Sequence, residues 1–199
     1  MRLHAIVDSA EAAAAAVAGG ATVVQVRLKD AGTVARAEMG RRVRPLAAML
    51  VINDDVEAAL RCGADGVHLG QTDRGAARAI AAGIALGISA ADVDEAAEAE
   101  HLGATYIGAG PVWTTPTKPD AGGPIGLEGL AAICAAVRIP VVAIGGIDLG
   151  SVGDVARAGA HAAAVISAVN HAPDIVAAAR AVVAAFTPCG GGPSPSASD

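Results

Sequence analysis

The sequence predicts an α/β fold, a compact single-domain (β/α)8 barrel of the TIM type. Short apolar runs alternate with alanine-rich amphipathic stretches about eight times, which calls for parallel strands and right-handed crossovers. No GxGxxG turn follows the first apolar run, which weakens the competing open, doubly wound sheet. Helix after helix ends in Gly just before a strand, as in Gly19-Gly20-Ala21, Gly63-Ala64-Asp65-Gly66, Gly103-Ala104 and Gly159-Ala160. That is the position where a left-handed residue ends a helix at low cost.

The elements follow in order. The apolar run Leu3–Val7 precedes the helical stretch Ala10–Ala18, and Val23–Leu28 precedes Thr33–Val43. Met49–Ile52 leads to Val56–Leu60, and Gly66–Leu69 to Arg74–Ala81. Ala85–Ile88 is followed by Asp92–His101, and Tyr106–Ala109 by Leu127–Val137. Val141–Ile144 with Ser151–Ala158 and Ala163–Ile166 with Pro173–Phe186 complete eight units. The barrel should occupy residues 1–186. Residues 187–199, rich in Gly, Pro and Ser, bury too little apolar surface to order and are expected to form a disordered tail. The loop Trp113–Pro124, with its hydroxyls, prolines and glycines, suits a segment that folds over a ligand.

Composition narrows the function. The 199 residues are 53% hydrophobic but only 2% aromatic (Trp113, Tyr106 and Phe186), so alanine and glycine carry the packing. A net charge of −6 without a basic block argues against nucleic acid. An anionic ligand must then be drawn by a few local cations, backbone N–H groups or a metal. Cys62, Cys134 and Cys189 have no CxxC spacing and read as reduced thiols of a cytosolic protein. The N-terminal apolar run is too short for a signal peptide, and no stretch approaches the ~20 apolar residues of a membrane span. A soluble, cytoplasmic protein without a membrane partner is expected; homo-oligomerisation stays open. Twelve arginines accompany only two lysines, Lys29 and Lys118, each just beyond a strand. Both are candidates for positions that need a compact point charge rather than a planar fork.

In such a barrel the site forms where strands end and βα loops begin. Gln25, Arg27 and Lys29 alternate with apolar residues, so period two puts them on one face, toward the barrel axis and mouth. Asn53-Asp54-Asp55 ends the third strand, and Gly70-Gln71-Thr72-Asp73 follows the fourth. Asp54 and Asp73, carboxylates on adjacent strands, suit Mg²⁺, which takes one or two carboxylates plus water and substrate phosphate. Asp55 reads better as a helix N-cap. Ser89 ends the fifth strand as a ligand or an N-cap. Thr115, Thr117 and Lys118 follow the sixth. Gly145-Gly146 after the seventh, and Ile166 with Ser167 after the eighth, suit a phosphate held by backbone N–H groups and a hydroxyl. His68 reads as a satisfied core histidine, and Trp113 as either loop packing or a stacking platform. Two phosphorylated substrates, one a diphosphate, would fit this layout.

These residues resemble the thiamine phosphate synthase family from Leu3 to about Phe186. The resemblance rests on Gln25-Val26-Arg27-Leu28-Lys29, Ile52-Asn53-Asp54, the run Gly63–Asp73, Tyr106–Pro111, Thr115-Pro116-Thr117-Lys118 and Ala143-Ile144-Gly145-Gly146-Ile147. It implies condensation of hydroxymethylpyrimidine diphosphate with hydroxyethylthiazole phosphate, and release of diphosphate. Asp54 and Asp73 would hold Mg²⁺. Arg27, Lys29, Asn53, Ser89 and Lys118 would bind the diphosphate, and Gln25 and Thr115 would touch the pyrimidine or its covering loop. Thr117, Gly146, Ile166 and Ser167 would hold the thiazole phosphate. The family's chemistry is dissociative: diphosphate departs and the thiazole nitrogen captures a pyrimidinylmethyl cation, so Arg27, Lys29, Ser89 and Lys118 would act on leaving-group charge. The chain departs from the family at Ala90-Ala91, where Thr and His are usual, and at Leu28, where Glu is common. The alternatives are a thiazole tautomerase-like homologue, which needs the histidine this chain lacks, and a non-catalytic phosphate-binding barrel. A Schiff-base aldolase fits poorly, because neither lysine lies among apolar neighbours.

Overall fold

Pairing of the first strand with the last decides the architecture. Strand β1 (Leu3–Val7) runs parallel to β2 (Val23–Val26) on one side and to β8 (Ala162–Val165) on the other, with Leu3 opposite Ala163 and Ala5 opposite Val165. Between them, β3 (Met49–Asn53), β4 (Gly66–Leu69), β5 (Ala85–Ala90), β6 (Tyr106–Ala109) and β7 (Val141–Ile144) follow in sequence order, so the all-parallel sheet is closed. The open-sheet alternative is thereby excluded. The computed structural model describes residues 3–115, 122–170 and 172–186.

Outside the strands lie α1 (Ala10–Ala18), α2 (Thr33–Val43), α3 (Val56–Cys62), α4 (Ala76–Ala81), α5 (Val93–Leu102), α6 (Gly126–Ala136), α7 (Val152–Arg157), α8 (Ser167–Asn170) and α9 (Ile175–Ala185). Several starts are written locally. Ser9, Asp55, Asp92 and Asp174 each accept a hydrogen bond from the backbone N–H three residues on, satisfying a donor that the helix leaves open. Asp55 is thus the helix cap that the sequence suggests. Ser89 is not a cap: it lies inside β5, opposite Gly108, and Asp92 caps α5 instead.

Other boundaries shift for identifiable reasons. β2 stops at Val26, two residues short of expectation, although the Arg27 N–H still reaches the Val7 carbonyl at 2.9 Å. β5 runs two residues further than expected because Ser89 and Ala90 pair with Gly108 and Ala109 of β6. α4 begins at Ala76 rather than Arg74, since Gly75 has φ +113°, a left-handed value that cannot continue a helix. The four residues of α8 are too few for any helical periodicity, and the sequence reading missed them.

The main core lies between the strands and the surrounding helices, filled by residues such as Leu3, Leu50, Ile52, Leu86, Ile107 and Leu130, all fully buried. A second, smaller cluster of Ile6, Tyr106, Val142, Ala162 and Ala164 fills part of the barrel interior. Closure also brings α9 against α1. Gly19, which caps α1 in a right-handed conformation (φ −82°), sits so close to α9 that a β-carbon there would meet Ala179 Cβ at 2.5 Å and the Val176 carbonyl at 2.7 Å. No helix among the described residues is long and apolar enough to cross a membrane.

Gly19→Ala should therefore destabilise the fold through overpacking alone, by about 1–3 kcal/mol. Urea unfolding followed by circular dichroism checks this. An unchanged midpoint would show that α9 can move away from α1 without cost.

Candidate active site

The strand ends and βα loops surround a cavity of about 610 Å³. Its lining collects most of the residues that the sequence nominates: Gln25 and Arg27 from β2 and its loop, Asn53 from β3 and Asp54 just beyond it, Asp73 after β4, and Ser89 from β5. Thr115, Gly146, Ile166 and Ser167 complete the nominated set on the opposite side. Lys29 lies beyond the end of β2, exposed and outside the lining. Thr117 and Lys118 fall outside the described residues, as does the segment 187–199. Trp113 is partly buried, packs on the main core and does not line the cavity, which favours loop packing over a stacking platform.

The period-two reading of β2 holds for its first two polar members. Gln25 is 3% exposed and donates through Nε2 to Asn53 Oδ1 at 2.6 Å, linking β2 to β3 beneath the cavity. Each amide thereby holds its neighbour's orientation at little entropic cost.

Asp54 follows with φ +63°, a left-handed conformation that Asp tolerates better than most residues. Its N–H is held by the His68 carbonyl at 2.8 Å, which fixes this turn to β4. Asp73 is held differently. One of its carboxylate oxygens accepts the Gly70 N–H at 2.7 Å, and its own N–H bonds the Gly70 carbonyl at 3.1 Å. Asp73 thus closes a turn after β4 instead of capping α4, whose N-cap is Gly75.

These two turns bring the carboxylates within hydrogen-bonding reach. Partial burial, then the charge and hydrogen bonding of Asp73, raise the Asp54 pKa to about 6, against a smaller opposing pull from Arg27 and Arg36. Asp54 still keeps more than a third of its surface open to solvent, so screening moderates the cost of the pair. Arg36 is a contributor that the sequence reading missed. Its guanidinium bridges Asp55 and the Leu28 carbonyl, both at 3.4 Å, and leans its charge toward Asp54.

A polar layer lies across the cavity floor. His68 Nδ1 is 3.0 Å from the Tyr106 hydroxyl, and Nε2 is 3.0 Å from Ser89 Oγ. His68 is satisfied, as the sequence implies, yet it also lines the cavity. Gln71, another lining residue without a role in the sequence reading, donates from Nε2 to the Ser89 carbonyl at 2.7 Å. Beyond Ser89 the wall is Ala90 and Ala91, with Glu95 accepting the Ala91 N–H at 2.7 Å.

The opposite wall is built from backbone. Gly145 and Gly146 both have left-handed φ, +95° and +67°, and a β-carbon on Gly146 would come within 2.7 Å of Trp113 Cβ. Glycine is needed at both positions, for the left-handed backbone and for the close approach of the loop after β6, and this wall presents backbone rather than side chains to the cavity. Ser167 opens α8 at the rim, and Asn170 at its other end ties the helix to β1 through a 2.7 Å bond to the Ile6 carbonyl.

The charges of the described lining are Arg27 against Asp54, Asp73 and Glu95. A polyanion entering such a mouth needs added positive charge. Two adjacent carboxylates, Asp54 held harder to ionise by burial and by its neighbour, form a donor set suited to a hard divalent cation such as Mg²⁺. Among the described residues no group of three or more His, Cys, Asp or Glu side chains could hold a metal, so a metal here would rely on water or ligand oxygens for the rest of its shell.

Fold and cavity together define a (β/α)8-barrel enzyme with its site at the carboxyl ends of the strands. A family model described as thiamine monophosphate synthase matches residues 3–169. A thiamine-phosphate synthase from Chloroflexus aurantiacus is 49% identical over 172 residues, which cover 83% of this chain and 80% of that protein. Another, from Salinispora arenicola, is 43% identical over 202 residues, with 94% and 97% covered. The solved structure of a thiamine phosphate pyrophosphorylase from Pyrococcus furiosus superposes with a TM-score of 0.87 at 40% identity, covering 93% of this chain and 95% of that one. The chain belongs to the thiamine monophosphate synthase family and is a transferase of that kind.

The carboxylate pair predicts a pH signature without metal. A carboxyl group harder to ionise folded than unfolded binds more protons in the folded state between the two pKa values, here 3.8 and about 6. Stability contributed by this group is greatest at low pH and falls as pH rises through that window. In chelator, the melting temperature of the wild type should fall relative to Asp73→Asn between about pH 4 and pH 7, and the two curves should converge near pH 4. Parallel curves would show that the two carboxylates do not feel each other.

Proposed function

We propose that the protein joins hydroxymethylpyrimidine diphosphate to hydroxyethylthiazole phosphate, forming thiamine phosphate and diphosphate, with Mg²⁺ as cofactor and by a dissociative path. The observation that carries this reading is the division of the cavity into two unlike halves. One holds paired carboxylates with Arg27 and amides, and the other holds bare backbone with Ser167. A diphosphate with its metal suits the first half, and a monophosphate suits the second.

Asp54 and Asp73 would hold the metal, which when bound supplies positive charge to the diphosphate. Arg27 and Asn53 bind that group from the β2 and β3 side, Ser89 from β5. Lys29 and Lys118, the two lysines of the chain, would complete the charge balance around it. Gln25 and Thr115 face the pyrimidine. Gly146, Ile166 and Ser167, together with Thr117, take up the thiazole phosphate. Charge accumulates on the leaving diphosphate as its carbon–oxygen bond breaks, so donors aimed at it lower the barrier more than they tighten binding. The thiazole nitrogen then captures the pyrimidinylmethyl cation, and no protein nucleophile takes part.

Incubation with both substrates and Mg²⁺ should give thiamine phosphate and diphosphate in equal amounts. Absence of product with every divalent metal, or full turnover in excess chelator, overturns the reading. Asp54→Ala should cost about 10²-fold or more in turnover while the barrel stays folded.

The two halves are separable by kinetics. Ser167→Ala should raise KM for the thiazole substrate by roughly 10-fold, the value of a hydrogen bond to a charged oxygen, and leave KM for the pyrimidine substrate nearly unchanged. Equal changes in both constants would place Ser167 elsewhere.

A further inference from the structure

His68 is the polar group at the cavity floor to which the proposed reaction assigns no work. It stands on β4 opposite Asn53 of β3 and Gly87 of β5, with its side chain in the barrel interior beside Tyr106. Two neighbouring strands give up side chains to seat this pair. A β-carbon on Gly87 would collide with the Tyr106 ring, and one on Gly108 would meet His68 Cε1 at 2.7 Å. Glycine inside a strand weakens it, so two such positions around one contact mark a place where the interior is kept for specific occupants.

The direction of the hydrogen bonds follows from the buried phenol. Tyr106 is 5% exposed, and burial pushes its ionisation above the usual phenol range, so it keeps its proton. That O–H needs an acceptor, and His68 Nδ1 stands 3.0 Å away. If His68 instead carried its proton on Nδ1, the phenol oxygen would accept that N–H and its own hydrogen would have to turn away from the imidazole, leaving a buried donor without this acceptor, the costly state. The imidazole therefore accepts at Nδ1 and carries its proton on Nε2. Nε2–H donates to Ser89 Oγ at 3.0 Å. Occupied as an acceptor from the floor side, the serine turns its own hydrogen toward the cavity that it lines. The Gln71 side chain grips the Ser89 carbonyl from the adjacent loop and holds the serine backbone in register.

We propose that His68 is a positioning residue: the chain Tyr106 O–H to His68 Nδ1, then His68 Nε2–H to Ser89 Oγ, fixes Ser89 as an O–H donor to an anionic phosphate oxygen of the bound diphosphate. The choice of ligand rests on the function proposed above, whereas the tautomer does not. His68 moves no proton in the reaction. Its effect is to hold one hydroxyl hydrogen in the direction where negative charge grows.

The test has two arms. In protein with ¹⁵N-labelled histidine, assigned by comparison with His68→Gln, the His68 signals should be those of an unprotonated Nδ1 and a protonated Nε2, and Tyr106→Phe should abolish that preference. The opposite tautomer in the wild type overturns the proposal whatever the activity. In the second arm, Ser89→Ala should lower kcat by about 10²-fold, and His68→Leu by roughly 10-fold with little change in KM for either substrate. His68→Gln, which can still present an N–H toward Ser89, should recover part of the loss and also controls for folding.

The decisive comparison is His68→Leu on the Ser89→Ala background. A residue acting only through Ser89 should then cost no more than about 2-fold. A full additional 10-fold loss would show that His68 acts by another route and would sink the proposal. A wild type that lacks turnover yet shows the Nε2–H tautomer would instead overturn the reaction assigned above, which keeps the two failures distinct.

Discussion

A closed barrel of eight parallel strands has a fixed interior, and every second strand residue must share it. The site depends on how this chain fills that volume. With aromatics at 2% of the sequence, the lower interior is packed by Ile6, Val142, Ala162 and Ala164 around one large ring, Tyr106. Upper interior positions are left to polar groups: Gln25, Asn53, His68 and Ser89. Because these groups have little access to water, each must be satisfied by another. Gln25–Asn53 and Tyr106–His68–Ser89 are the two sets that result. The ligand floor is therefore the top of the core, with its rigidity, rather than a surface laid over it.

The rim follows a different logic. Asp54 and Asp73 sit on turns held by backbone bonds, to the His68 carbonyl and to Gly70. Those bonds hold the two carboxylates close, and partial burial together with the neighbouring Asp73 charge makes Asp54 harder to ionise. Stability is given up locally to keep this charge arrangement at the rim.

Much of this was readable from the chain. The starts and ends of β1, β4, β6 and β7 all coincide with the expected apolar runs, because a strand buried on both faces must be apolar along its length. Asp54, Asp73, Ser167 and Gly146 were legible as polar or bare positions at strand ends. His68 was harder. Its inward direction is implied by Val67 and Leu69 on either side, but its partners lie 21 and 38 residues away on other strands. Only the register of β4, β5 and β6, with Gly87 and Gly108 making room, brings them together. Lys29 was placed at the mouth by extending period two past Val26, where the strand has already ended. Arg36 gave no signal because its effect comes from helix α2 leaning over a neighbouring loop.

The meeting of β1 with β8 also bears on how the molecule is made. Leu3 and its partner Ala163 are separated by nearly the whole chain, and the Asn170 side chain that grips Ile6 emerges later still. During synthesis β1 must wait, one side unpaired, until most of the polypeptide has left the ribosome. Its short length and the early pairing with β2 limit what that waiting edge can recruit. Completion of the last unit, rather than of any single βα step, is then the event that converts a nascent sheet into a protected barrel.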